Sequence, residues 1–360
     1  MSVGIERNEI DTPALLVDLD IMEKNLRTMA NFFQGKRAKF RPHTKVHRVP
    51  ALALKQIEAG ATGICCQKVS AAEVMVAAGI GDIMIATEIV TPSKINRLIQ
   101  LATCANITVP VDSVQNADDL SKAAIEQGMK LNVWLEIHVG SQRCGVEPGG
   151  PALKLAEHIN ALPGLRLIGL MAYEGHLDWL EPREQRRKEV EKVASLITDT
   201  QRLIEKTGIS AKEISMGTTG TYDATGKFPE ISQVRAGSYL LMDCKYHRHA
   251  PEFECALSVL STVISVPSAQ RAVTDAGLMS INQNYGPPEI KDSEGLAIYK
   301  LNGDNTLLTR EIGSRTDVGD KIEIIPSYLD GTINMYEKLY GLRKNNVEAV
   351  WEISARGKSD

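Results

Sequence analysis

From Thr12 to about Asp243 the chain repeats one pattern: a short apolar run, then a stretch whose apolar positions recur every three to four residues. Residues 13–19 (PALLVDL) predict a strand, and residues 21–33 a helix with Asp20 as its N-cap. Residues 38–42 predict the next strand, and residues 46–59 a helix stopped at Gly60. Residues 62–66 are strand-like, and Ser70 with Glu73 predicts a capping box for a helix over 71–78. Residues 82–87, 107–111, 131–139 and 165–173 are further apolar strands, each followed by a helical segment. The longest helix, about residues 183–206, sets charges on one face and Val190, Val193, Ile197 and Ile204 on another. Strands alternating with helices imply a parallel sheet, and about eight such units imply a (β/α)₈ TIM-type barrel rather than a doubly wound sheet.

Beyond residue 246 the texture changes. Residues 256–266, 271–275, 297–301, 321–325 and 347–353 are short β-branched runs between turn residues, and helical periodicity fades. This predicts an antiparallel β domain of about a hundred residues. The expected class is therefore α/β, with a barrel followed by a β domain. There is no solenoid repeat, low-complexity segment or flexible linker in the sequence.

Composition narrows the function. A length of 360 residues suits one large barrel plus a small module. Net charge is −4 with both signs interspersed, so no nucleic-acid partner is expected, and an anionic small substrate must meet local cations. The six cysteines include no CxxC pair, which argues against a zinc ribbon or a disulfide scaffold and for thiols in a reducing cytoplasm. Residues 1–11 are polar, which predicts no signal peptide, and no apolar run nears the roughly 20 residues of a membrane span.

In a barrel, residues just past the C-terminal ends of the strands line the site. Here they are His43, Lys45, Gln67, Thr87, Asp112, Arg143, Tyr173, His176, the SMGTTGTY run over 215–222 and the RAGSYLLMD run over 235–243. Lys45, in the segment FRPHTKVH, is an amine that can form an imine and shuttle a proton at a substrate Cα, with Arg41 or His43 nearby to favour its neutral form. Spacing alone also allows a solvated lysine near a helix start. The two small-residue runs offer backbone N–H groups for a phosphate, or are simply turns. Arg143 suits a phenolate or carboxylate, or a surface ion pair. Tyr173 and His176 are an acid–base set or a structural pair.

Taken together these stretches resemble the D-threonine aldolase family of fold-type III pyridoxal-phosphate enzymes, which includes D-3-hydroxyaspartate aldolases and D-serine dehydratases. The matching pieces are Asp11-Thr12-Pro13-Ala14, the RPHTKVH segment, GICCQKVSAAE from Gly63, Arg143-Cys144-Gly145-Val146, Ala172 to His176, the GTTGT loop, Gly237-Ser238-Tyr239 through Met242-Asp243, Asp275 to Leu278, and Val350-Trp351 through Lys358. The likeness runs almost end to end. It implies an alanine-racemase-like barrel over residues 12–245, with residues 1–11 joining 246–360 in the β domain. It implies Lys45 as the Schiff-base lysine and Gln67 and Arg143 beside the cofactor ring, with Tyr173 also against the cofactor. Gly217, Thr218, Thr219, Gly220, Gly237, Ser238 and Tyr239 form the implied phosphate cup. It also implies a homodimer acting on a small amino-acid substrate.

One departure matters. The family carries a His-x-Asp or His-x-Cys pair that binds a divalent metal, but here Tyr328 stands before Asp330, and no histidine follows His249. A second family histidine is replaced by Glu294, and Asn284 stands where aspartate is common. A neutral phenol is a poor metal ligand, although Asp330 with Glu294 and waters could hold Mg²⁺ or Mn²⁺. Alternatively Tyr328 or His176 is itself the acid–base group. The expected activity is a pyridoxal-phosphate-dependent retro-aldol cleavage of a D-configured β-hydroxy-α-amino acid to glycine plus an aldehyde. The alternatives are metal-independent racemisation using Lys45 and Tyr328, and dehydration of the β-hydroxy amino acid.

Overall fold

The apolar runs build two separate sheets in a computed structural model that describes residues 3–292 and 295–360. The first nine strands are β1 (Ala14–Asp18), β2 (Lys39–Phe40), β3 (Ile64–Cys66), β4 (Asp82–Ile85), β5 (Asn106–Val111), β6 (Leu131–Ile137), β7 (Leu165–Ala172), β8 (Glu213–Met216) and β9 (Gln233–Val234). Eight of them, β2 to β9, form one all-parallel sheet in the order β2-β9-β8-β7-β6-β5-β4-β3. A parallel bridge between His43 and Cys65 joins the two end strands into a barrel. The intervening helices are α1 (Leu19–Phe33), α2 (Pro50–Glu58), α3 (Val69–Ala77), α4 (Pro92–Ala102), α5 (Val114–Glu126), α6 (Gly150–Ala161), α7 (Arg183–Glu205) and the short α8 (Tyr222–Thr225). Inside the barrel, Cys65, Met84, Trp134 and Met171 pack into one layer, and Trp134 Nε1 donates to Thr108 Oγ1 at 3.0 Å.

The strand over 14–18, expected to open the barrel, does not join it. β1 pairs antiparallel with β10 (Leu257–Ser268) and parallel with β16 (Lys338–Arg343). Its residues Ala14 to Val17 are all buried, so the sequence carries no one-face signature that could say which sheet receives it. The other strands of this second sheet are β11 (Arg271–Thr274), β12 (Glu289–Ile290), β13 (Leu296–Leu301), β14 (Thr306–Arg310), β15 (Lys321–Ile325) and β17 (Asn346–Glu352). They run β13-β14-β11-β10-β1-β16-β17, with β15 pairing both β10 and β12. Ile10, Ala14, Leu16, Leu260, Leu342 and Val347 form a core against this sheet. By contact density one unit holds Met1–Met29, Val46–Ala51 and Ser238–Gly357, and the other Ala30–Lys45, Leu52–Gly237 and Lys358–Asp360.

Two helix starts differ from expectation. The backbone N–H of Ile21 donates to Asp18 Oδ1 at 3.1 Å, so Asp18 rather than Asp20 caps α1. The Ser70–Glu73 box does not form. Ser70 lies inside α3 and donates to the Asp360 carbonyl at 2.8 Å, while Glu73 takes a bidentate pair from Arg97 at 2.8 and 2.7 Å. Both side chains are drawn away by partners remote in sequence, which no local motif can reveal.

Candidate active site

Alternation along β6 sets the inner face of the barrel mouth. Trp134 lies in the interior layer, so Glu136, two residues on, shares its face and sits one layer nearer the C-terminal rim. Glu136 is 2 % exposed. Arg143, after the strand, holds its Nη2 3.7 Å from Glu136 Oε1 and its guanidinium carbon 4.7 Å above the ring of Tyr173. Burial pushes the Tyr173 phenol up, and the charge of Lys45 draws it back, so the amine and phenol share the rim.

Lys45 is delivered there by an ordered chain. His43 N–H donates to the Ala236 carbonyl at 3.0 Å, and Thr44 Oγ1 to the Cys65 carbonyl at 3.1 Å. A single 3₁₀ turn over Thr44–Val46 then carries Lys45, whose N–H donates to His43 Nδ1 at 3.4 Å. Arg41 is not a neighbour of the kind the sequence suggested. Its guanidinium turns to the opening residues of three strands, bonding Asp82 Oδ1 at 2.6 Å, Gln233 Oε1 at 3.0 Å and the Ile64 carbonyl at 3.3 Å. That is the N-terminal end of the barrel.

Both amide atoms of Gln67, directly after β3, are buried without a hydrogen-bond partner. A buried amide with neither group satisfied costs about 1–3 kcal/mol for each, which a ligand would relieve. Lys45, the Gln67 amide and the half-exposed Arg143 therefore fit the aldehyde and ring oxygen of pyridoxal phosphate by type.

The glycine loop after β8 is built around two buried carboxylates that the sequence reading passed over. Glu174 and Asp178 are 0 % and 1 % exposed. Glu174 accepts from Gly217 N at 3.0 Å, Thr221 Oγ1 at 2.8 Å and Thr225 Oγ1 at 3.2 Å. Asp178 accepts from Thr218 Oγ1. The N–H groups of Gly220 and Thr221 donate to Thr218 Oγ1 at 3.1 and 3.2 Å. Gly220 is required where it stands, because a Cβ there would lie 2.5 Å from Asp178 Oδ1. Their signal in sequence was present: Glu174 interrupts the otherwise apolar and small run that closes β7.

His176 is placed beside the β6–α6 connection. A Cβ on Gly140 (φ +112°) would lie 2.9 Å from His176 Nε2. Partial burial, with the neighbouring His138, pushes the imidazole below its ordinary value, and Glu174 opposes the shift.

The remaining expected residues belong to the other unit. Ser238 opens a 3₁₀ turn over Ser238–Leu240, and Tyr239 is 0 % exposed with its ring edge-on to Phe253 at 5.7 Å. Asp243 caps α9 (Cys244–His249) by accepting from Tyr246 N at 2.7 Å, and accepts from Leu329 N at 3.3 Å. It thereby fastens the start of α10 (Leu329–Ile333), and burial pushes its carboxyl up to about 7.

Tyr328 stands at the N-cap of α10 with its ring edge-on to Tyr285 at 4.6 Å. Burial pushes the Arg48 guanidinium down, and the charge of the nearby Asp330 holds it up. A guanidinium thus already balances Asp330, and a neutral phenol donates weakly to metals, so the pair does not fit a divalent ion. Glu294 lies outside the described residues. Among those described, one group of three metal-type donors occurs, Glu88, Asp112 and Cys144 within 4.8 Å of one another, and it excludes Asp330.

Comparison with known proteins accords with this geometry. The family profile described as "Alanine racemase, N-terminal domain" matches residues 17–245, and a second profile, for a serine dehydratase-type domain, matches residues 256–342. The D-threonine aldolase of Arthrobacter sp is 38% identical over 355 residues, covering 97% of this chain and 94% of the relative. The 3-hydroxy-D-aspartate aldolase of Paracoccus denitrificans (strain Pd 1222) is 33% identical over 366 residues, covering 99% and 94%. The crystal structure of D-threonine aldolase from Filomicrobium marinum superposes with a TM-score of 0.97 at 35% identity, covering 100% of both chains.

Proposed function

Because the chain belongs to the alanine racemase N-terminal-domain family, on its D-threonine aldolase branch, we propose that it is a pyridoxal-phosphate-dependent lyase. Its substrate is a D-configured β-hydroxy-α-amino acid, cleaved between Cα and Cβ to glycine plus an aldehyde, or glyoxylate for a carboxylate side chain. The observation that carries this reading is the convergence of Lys45, the unsatisfied amide of Gln67 and Arg143 at one barrel rim.

Lys45 Nζ would hold the cofactor and move a proton at the substrate Cα. Bound there, pyridoxal phosphate supplies the electron sink for the pair left when Cα–Cβ breaks. Arg143, held over Tyr173, and the unpartnered Gln67 amide would hold the ring oxygen of the cofactor. The 217–220 loop with Gly237, Ser238 and Tyr239 holds the phosphate, and the turn around Glu174 and Asp178 keeps that loop in shape. Orientation would be the chain's main contribution: these residues would hold cofactor and substrate in one fixed arrangement. Tyr328 or His176 takes the proton of the β-hydroxyl.

Lys45→Ala should abolish the visible absorbance of the lysine-bound cofactor; an unchanged spectrum would remove the assignment. Incubation with D-threonine, D-3-hydroxyaspartate, D-serine and D-alanine identifies the reaction. Glycine plus aldehyde supports the lyase. Solvent deuterium at Cα with inverted product supports a racemase using Lys45 and Tyr328, a second reading favoured by the poor metal fit at Tyr328. Ammonia release supports a dehydratase. We further place the protein in the cytoplasm as a homodimer. The first is supported by six free cysteines, and among the described residues no helix is long and apolar enough to cross a membrane. Light scattering on the purified protein tests the second.

A further inference from the structure

We propose that the β domain carries a second binding site, a cavity beside the turn at Arg7 that takes a small oxyanion with two negative charges, of the phosphate or dicarboxylate kind. None of its residues belongs to the set assigned to cofactor or substrate, so the inference stands or falls apart from that assignment.

The cavity has a volume of about 480 Å³, within the range of sites that hold small ligands. All of its lining residues lie in the unit that holds Met1–Met29 and Ser238–Gly357. Strand pairing lays its floor. Lys321 and Glu323 alternate along β15 and so share one face. β12 pairs with β15 through Glu289 with Ile325 and Ile290 with Ile324. The backbone N–H of Lys291 then donates to the Glu323 carbonyl at 2.9 Å, which sets Lys291 beside them. Arg7 enters from a 3₁₀ turn over Arg7–Glu9, anchored where its backbone N–H donates to the Asn345 carbonyl at 2.8 Å.

Three half-buried cations thus meet one carboxylate. Glu323, its side chain 12% exposed, accepts from Arg7 Nη1 at 2.7 Å, Lys291 Nζ at 3.1 Å and Ser258 Oγ at 2.8 Å. Burial pushes its carboxyl up, but the Lys291 charge and these bonds outweigh burial and hold it below its ordinary value, so it is an anion. Lys321 spends its bonds on neutral groups, the Ile10 carbonyl at 3.1 Å and Thr262 Oγ1 at 2.9 Å. Three positive charges against one negative leave the floor an excess of two. Donors remain to deliver that excess. Arg7 Nη2 has no acceptor among the described residues, and each ammonium keeps at least one N–H unspent.

At the lip, Arg315 adds a guanidinium with no acceptor among the described residues. Asp292 and Asp320 also stand there, but both are exposed, where water and salt screen them. A cationic ligand finds no free acceptor on the floor, because Glu323 already takes three donors. A divalent oxyanion offsets the excess charge and takes several charge-assisted bonds at once.

Calorimetric titration of the holoenzyme with inorganic phosphate and, separately, with malonate, at fixed ionic strength, tests the site. One anion should bind saturably per chain, and monovalent acetate should bind about tenfold more weakly or worse. Lys291→Met should weaken binding by about tenfold or more, the worth of one charge-assisted bond. Asn8→Asp adds a negative charge at the lip and breaks no hydrogen bond among the described residues. It should weaken binding by about two- to fivefold, and it serves if Lys291→Met folds poorly. Binding of phosphate alone or of malonate alone, weakened in the variants, supports the site and names the kind of anion. No saturable binding of either, acetate bound as tightly, or affinities unchanged in both variants would overturn the proposal, the last by placing the bound anion elsewhere on the chain.

Discussion

Glu174 offers the sharpest test of how the loop after β8 is held. It is 0 % exposed and accepts three hydrogen bonds, from Gly217 N at 3.0 Å, Thr221 Oγ1 at 2.8 Å and Thr225 Oγ1 at 3.2 Å. Glu174→Ala strands all three donors in a buried turn. Each stranded donor costs about 1–3 kcal/mol, but the threonine hydroxyls can rotate, and Thr221 retains Thr218 as a partner at 3.1 Å. A loss of about 3–5 kcal/mol is therefore expected, a large part of the roughly 5–15 kcal/mol that holds a domain. Glu174→Gln keeps one acceptor oxygen and turns an amide N–H toward donors, so about 1–3 kcal/mol is expected. Urea unfolding of the cofactor-free protein measures both, read from the midpoint at unchanged slope. Pyridoxal phosphate affinity should fall in the same order, because the disordered loop must be re-formed on binding. An alanine variant within about 0.5 kcal/mol of wild type, with unchanged cofactor affinity, would refute the view that this carboxylate shapes the loop.

Other consequences are open to measurement. The Asp243 carboxyl, raised from 3.8 to about 7 in the fold, keeps a proton there that the unfolded chain has already lost, so its contribution to stability declines as pH rises from 4 to 7. Asp243→Asn should flatten that part of the stability–pH curve relative to wild type; parallel curves would contradict it. Gly220→Ala should weaken cofactor binding by tenfold or more, since the new methyl lies 2.5 Å from Asp178 Oδ1, and calorimetric titration with pyridoxal phosphate reads this directly. Tyr328→Phe should lower kcat by about 10²–10⁴-fold if its phenol moves a proton. A near-normal rate would leave the ring as packing against Tyr285. Exhaustive chelation should leave the rate within about twofold, because Tyr328 and Asp330 do not make a metal pair; a loss restored by Mn²⁺ would show otherwise.

Much of this protein was legible along the chain because its signals are local. Short apolar runs and period-3.6 stretches announced alternating strands and helices; the alternation implies a parallel sheet, and the number of units points to a barrel. Lys45 announced itself by standing between a strand and a helix, and the missing histidine at 328 could be read directly. What escaped depended on partners far away in sequence. β1 has no exposed face, so only the competition between two sheets could assign it. Arg41 looked like a neighbour of Lys45 by number, yet Asp82, 41 residues away, holds its guanidinium at the opposite end of the barrel. Glu136 and Asp243 read as ordinary carboxylates until folding withdrew water from them. A sequence states which groups can carry charge. Only the packed structure decides which of them must give it up, because that depends on the dielectric and the neighbours that long-range contacts bring together.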